Sequence, residues 1–173
     1  MKKLICTFLF IISWFALCTA QSTNDSAPIF TDWGESVHGV HLAVTLSNNV
    51  VVVGSRVPVF IKMENLSTND VYMGESTPEK DFSIILTSGS GKIYRLTPIA
   101  IVFSHTFRAK LDPGENRNWI ITVELDKYFA PPGLVATHAN IEPGEYMLKA
   151  TRKFILARDA HDLNSNLIKL QIK

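Results

Sequence analysis

The sequence predicts an all-β sandwich in one domain, and three observations carry that prediction. From about residue 37 onward, apolar and polar residues alternate in short runs, the period of a strand with one buried face. Turn-forming Gly, Pro, Asn and Asp separate these runs at the spacing typical of sandwiches, roughly every 8–12 residues. No window of about a dozen residues holds a 3.6-residue period, so long helices are not expected. Eight to ten short antiparallel strands follow, with no internal repeat long enough for a solenoid.

The amino terminus is of another kind. Met1-Lys2-Lys3 is a short basic region, and Leu4 to Leu17 is apolar apart from Thr7 and Ser13. Cys18-Thr19-Ala20 then ends in a small residue, the layout of a secretory signal peptide over residues 1–20. The apolar stretch is short for a membrane span, and no later segment approaches that length. Both cysteines, Cys6 and Cys18, lie in this segment, so the mature domain is expected to lack disulfides, thiolate metal ligands and a cysteine nucleophile. Cys18 could carry a lipid anchor, but a small residue normally precedes such a cysteine. Here that residue is Leu17, which favours simple cleavage. Removing Lys2 and Lys3 leaves 15 basic against 16 acidic residues. Near-neutral charge without a basic run excludes an electrostatic footprint for nucleic acid.

Residues 21–36 are polar and turn-rich and read as a loose arm, with Phe30 and Trp33 able to tuck against a domain spanning 37–173. Val40, Leu42, Val44 and Leu46 then share one strand face. A valine run, Val50 to Val53, leads to a second alternation at Val57, Val59, Ile61 and Met63, where Pro58 marks an edge or a bulge. "ENLSTND" is a loop, "VYM" a short strand and "GESTPEKD" a polar connection. Phe82, Ile84 and Leu86 open a hairpin whose turn, "SGSGK", offers Gly89 and Gly91 for positive φ before "IYRLTP" returns. "IAIVFSHTFRAKL" is strand-compatible, and Trp119, Ile121, Val123 and Leu125 form the next buried face. "DKYF" resembles one helical turn capped by Asp126. Tyr146, Leu148 and Ala150 face inward next. "ARDAHDLNSN" reads as a polar loop, and Ile168, Leu170 and Ile172 close the chain.

Pro-Gly-Glu occurs twice, at 113–115 and 143–145, each time before a strand. Proline presets φ and glycine accepts positive φ, the requirements of a type II turn. Glu115 and Glu145 are therefore expected to start strands rather than to form a catalytic carboxylate pair. His38 and His41 are three apart on a strand pattern and point to opposite faces, while His105, His138 and His161 are scattered, so no metal centre is expected. "TSGSGK" has neither nucleophile-elbow nor phosphate-loop spacing. Sequons stand at Asn24 and Asn65, and Asn65 suits a turn after a strand. "DKYFAPPGLVATHAN" is longer than a hairpin needs and gathers Tyr128, Phe129, Pro131, Pro132, Leu134 and Val135. These are the candidate binding residues, because long loops on a rigid sandwich commonly build recognition surfaces. The competing expectation is that Tyr128 and Phe129 plug the end of the sandwich.

The order of "VFIKMENLS", "FSIILTSGSGKIYR", "FRAKLDPGE" and "PGEYMLKA" resembles secreted bacterial immunoglobulin-like domains, among them the Bacillus intracellular proteinase inhibitor type. The likeness spans about residues 40–152. It implies an immunoglobulin-like antiparallel β-sandwich that acts as a protein-binding module or an inhibitor. A similar ending occurs in domains attached to deuterolysin-like metallopeptidases, but this chain has no His-Glu-x-x-His. The expectation is an exported, non-enzymatic module without a cofactor that binds another protein or a cell-surface polymer, with proteinase inhibition as the alternative.

Overall fold

The computed structural model describes residues 28–96, 107–125, 129–130 and 140–173. They form an all-β sandwich of two sheets. The smaller sheet is β1 (Val40–Leu46), β3 (Arg56–Asn65) and β8 (Asn116–Glu124), antiparallel, with β3 in the centre. The larger runs β2 (Val50–Val51), β12 (Ile168–Ile172), β10 (Gly144–Leu156), β5 (Ser83–Ser88), β6 (Ile93–Leu96), β9 (Phe129–Ala130). Off this path, β11 (Asp159–Asn164) pairs with the later half of β10, and β4 (Val71–Glu75) pairs with both β10 and β7 (Phe107–Leu111). One helical turn, α1 (Pro78–Asp81), joins β4 to β5.

The strands form where alternation lets the two sheets bury facing rows. Ile61 is fully buried and lies in register with Val44 on one side and Trp119 on the other. Against that row the large sheet presents Ile84, Leu86, Leu148 and Leu170, all fully buried. Each such aliphatic side chain removed from water contributes about 1.5–3 kcal/mol, which makes this interface the main source of stability.

Several local expectations change. The strand count rises to twelve among the described residues, because β2 and β9 are two-residue strands and "ARDAHDLN" is a turn followed by β11 rather than a loop. Only Leu163 of β11 is a buried apolar residue, so the strand owes its existence to pairing with β10. Pro58 lies in the central strand of its sheet. It sits one residue beyond the last pair with β1, Leu46 with Val59, and this leaves it at a local edge. In the β5–β6 turn Gly91 has positive φ, at 83°, whereas Gly89 is absent from the positive-φ residues. Phe129 pairs with Leu96 in a strand, so it does not end a helical turn. β2 runs parallel to β12, whereas the other strand pairs among the described residues are antiparallel.

The two Pro-Gly-Glu copies also differ. At the first, Gly114 has φ 79° and the Glu115 N–H donates to the Asp112 carbonyl at 3.0 Å, as a type II turn requires. At the second, Gly144 has φ 159°, nearly extended, and already begins β10. There the Tyr146 hydroxyl donates to the Glu142 carbonyl at 2.7 Å, a tyrosine-corner contact that fixes the chain reversal. In the arm, the Gly34 N–H donates to the Leu42 carbonyl at 2.8 Å, and Trp33 packs edge-on against His41. The arm is therefore tied to β1 from Trp33 onward. Residues 1–20, with Cys6 and Cys18, lie outside the described residues, and among those described no helix is long and apolar enough to cross a membrane.

Candidate functional site: a cleft over strand β10

β10 is thirteen residues long and outlasts its neighbour. On one side β5 pairs with Tyr146 to Thr151, and β4 meets the strand again only at Ile155. α1 lies across this interval, held by the Asp81 carboxylate, which accepts from the Ser76 N–H and hydroxyl at 2.9–3.1 Å. Beneath it is Arg152. Alternation from Tyr146 through Leu148 and Ala150 to Phe154 turns Arg152 inward, and its side chain is 1% exposed.

The guanidinium of Arg152 packs against a pair of aromatic rings that touch each other edge to face, 4.5 Å from the centre of Phe82 and 4.7 Å from that of Trp119. These cation–π contacts partly replace the hydration that burial removes. Nη2 donates to the Gly74 carbonyl at 2.8 Å and lies 3.6 Å from Asp81 Oδ2. Nη1 is buried without a hydrogen-bond partner. Burial lowers the Arg152 pKa from its ordinary value, and the Asp81 and Glu75 carboxylates oppose that shift.

A cleft of about 760 Å³ opens here. Its floor is the outward face of the large sheet, where Asn164 and Ser83 flank Thr151 across three strands. Lys149, Ile85 and Arg95 form a second row, and Lys153 stands opposite Asp162. Glu79, Lys80 and Asp81 of α1 line it as well. The lining thus holds five cations, Lys80, Arg95, Lys149, Arg152 and Lys153, against three carboxylates, Glu79, Asp81 and Asp162, interleaved with hydroxyl and amide groups. Such a surface can both donate to and accept from a polyhydroxylated ligand while favouring one with negative charge.

Of the loop residues expected to bind, only Phe129 is described, and it is a core residue with no exposed surface. A fully buried ring cannot meet a partner, so Phe129 is withdrawn as a contact. Tyr128, Pro131, Pro132, Leu134 and Val135 lie outside the described residues. Glu115 and Glu145 are kept apart by the fold. Glu115 accepts from the Asp112 N–H and from Arg117, and the first of these lowers its pKa most. Glu145 pairs with Lys169 at 2.9 Å on the other sheet. His38 lies in a turn rather than a strand, its ring 4.6 Å from that of His161, and among the described residues no three His, Cys, Asp or Glu side chains gather as metal ligands. Sequence reasoning missed Arg152, although the inward phase of "YMLKATRKF" places an arginine at a core position.

No protein-family model matches this chain, and no curated protein matches it. Solved structures similar to it include a Northeast Structural Genomics Consortium target, 11% identical with TM-score 0.49, covering 80% of this chain and 90% of that one. The putative ApaA protein from Bordetella pertussis is 12% identical with TM-score 0.45, over 84% of this chain and 98% of the other. A β-glucosidase from Listeria innocua, in complex with gluconolactone, is 12% identical with TM-score 0.43; 80% of this chain is covered, but only 16% of that one. At these scores the likenesses carry no conclusion about function.

Proposed function

We propose that the protein is an exported, non-enzymatic β-sandwich module that recognises an acidic cell-surface polysaccharide through the cleft over β10. Export rests on the signal-like residues 1–20. The observation that carries the recognition is the cleft's mixed lining, in which lysines and arginines exceed acids while Ser83, Thr151 and Asn164 supply hydroxyl and amide groups between them. A sugar chain needs donors and acceptors for its hydroxyls, and its acid groups draw the cations. A bare phosphate site would not call for the interleaved acids Glu79 and Asp162.

Pro131, Pro132, Leu134 and Val135 are proposed as a further contact. Ala130 is in register with Arg95 at the cleft, and the chain runs from Ala130 into the stretch containing Pro131, Pro132, Leu134 and Val135. The test is retention of the exported protein on immobilised polygalacturonate beside neutral dextran. Wild type is expected to be held by the acidic matrix alone and released by salt, because lysine-mediated contacts are screened. K149Q/K153Q, with both changes on an outward strand face, is expected to fold normally and to lose most of that retention. Equal elution of wild type and variant would refute the cleft as the recognition surface.

A further inference from the structure

We propose that Arg152 is the receiving group of a carboxylate subsite within this cleft and takes the acid group of one sugar unit; the inference rests on the polysaccharide reading above. A guanidinium carries five N–H donors in a planar fork, and here Nη1 is buried with none of its hydrogen bonds made. A buried donor left empty is destabilising, so the position calls for an acceptor that the fold itself does not supply.

The geometry selects the kind of acceptor. Phe82 and Trp119 press on the guanidinium from neighbouring directions, their own centres 5.0 Å apart, and neither supplies the oxygen that Nη1 lacks. The planar fork of a guanidinium matches the two oxygens of a carboxylate. The Asp81 carboxylate is near but does not fill this role. It stands 3.6 Å from Nη2, on the nitrogen already bonded to Gly74, and its oxygens are engaged by Ser76. α1 contains no buried residue, so the cover that carries Asp81 is held by few apolar contacts and can shift to admit a ligand. Asp81 then acts as an internal competitor for the arginine.

The experiment is a titration of the exported full-length gene product with sodium glucuronate, followed by the Trp119 indole and Arg152 Nε–H resonances in nitrogen–proton spectra. W33F identifies the Trp119 signal, and glucose and the glucuronate methyl ester serve as uncharged controls. Saturable shifts with glucuronate and not with the controls are expected. R152K should weaken binding at least tenfold while its circular dichroism stays that of wild type, and D81N should tighten it several-fold. If R152K fails to fold, the D81N gain decides the matter.

Silent Trp119 and Arg152 resonances, or equal shifts with glucose, would overturn the subsite and mean that water completes Nη1. If those resonances stay silent while polygalacturonate still retains the protein, the cleft reading survives and this inference alone falls. If they respond while the polymer is not retained, the subsite stands and the polysaccharide reading falls.

Discussion

Asn65 offers the most exacting test of how this sandwich is held together. It ends β3 with no exposed surface, and its amide is saturated. Nδ2 donates to the carbonyls of Asn69 at 2.9 Å and Leu111 at 3.0 Å, and Oδ1 accepts from the N–H of Ser67 at 3.0 Å and its hydroxyl at 2.6 Å. Its backbone also brackets the β7–β8 turn, through the Glu115 carbonyl and the Gly114 N–H. Asn65→Ala deletes four side-chain bonds, each worth about 0.5–1.5 kcal/mol net. The Leu111 carbonyl is left buried, whereas the Ser67 and Asn69 groups regain water, so the loss should be about 3 kcal/mol. For a domain of this size that lowers Tm by roughly 6–12 °C. Asn65→Asp is more informative because it turns the two donor contacts into oxygen facing oxygen. The ionised form is disfavoured in the folded state, so the folded pKa of this aspartate rises above the unfolded value of about 3.9. Its relative stability is then greatest below that unfolded value and is lost as pH rises through the folded one. Urea titrations at pH 4 and pH 7, read by circular dichroism and tryptophan fluorescence, should show the gap to wild type widening at the higher pH. An Asn65→Ala protein within about 1 kcal/mol of wild type, or an Asn65→Asp gap independent of pH, would refute the reasoning. The same saturation means that the sequon at Asn65 cannot be glycosylated in the folded protein, since Nδ2 is buried and already bonded.

Three further outcomes follow from particular residues. The β10–β11 turn places Ala157 at φ 49° and Arg158 at φ 82°, values suited to Asn-Gly; A157N/R158G should stabilise the protein by about 1–2 kcal/mol, and thermal melting showing no gain would contradict that turn assignment. Tyr146→Phe removes the bond to Glu142 and should cost about 1 kcal/mol in urea titrations. Burial, first among the causes, raises the Tyr146 pKa, so its contribution is present below the ordinary value near 10 and is lost as pH rises through the folded one; Y146F should flatten the alkaline loss of stability. At Gly34 an added Cβ would lie 1.9 Å from the Asn164 carbonyl oxygen, against backbone. Gly34→Ala should therefore detach the arm, exposing the Leu42 region to hydrogen exchange and changing Trp33 fluorescence while the core stays protected.

The faces of β1, β3, β5, β8, β10 and β12 were legible because a strand's side chains alternate with period two, and residues such as Val57, Val59 and Ile61 declare the buried face without reference to any partner. The turn at Asp112 to Glu115 was legible for the same local reason, since Pro-Gly chemistry sets φ within four residues. β11 was not, because one buried leucine gives no period and its backbone becomes a strand only when β10 extends far enough to pair with it. Gly144 shows the same limit: its Pro-Gly-Glu matches the first copy, yet Tyr146 and the β10 ladder draw it into an extended strand. The cleft lay further still from sequence reading, since Lys80, Arg95, Lys149 and Asp162 come from four separate elements. The sequence by itself determined the strand periods and the turn chemistry, both of which are properties of neighbouring residues. Only the tertiary structure decided that Phe129 is core and that Arg152 lies buried with an open donor, because burial and hydrogen-bond satisfaction depend on which distant strands meet.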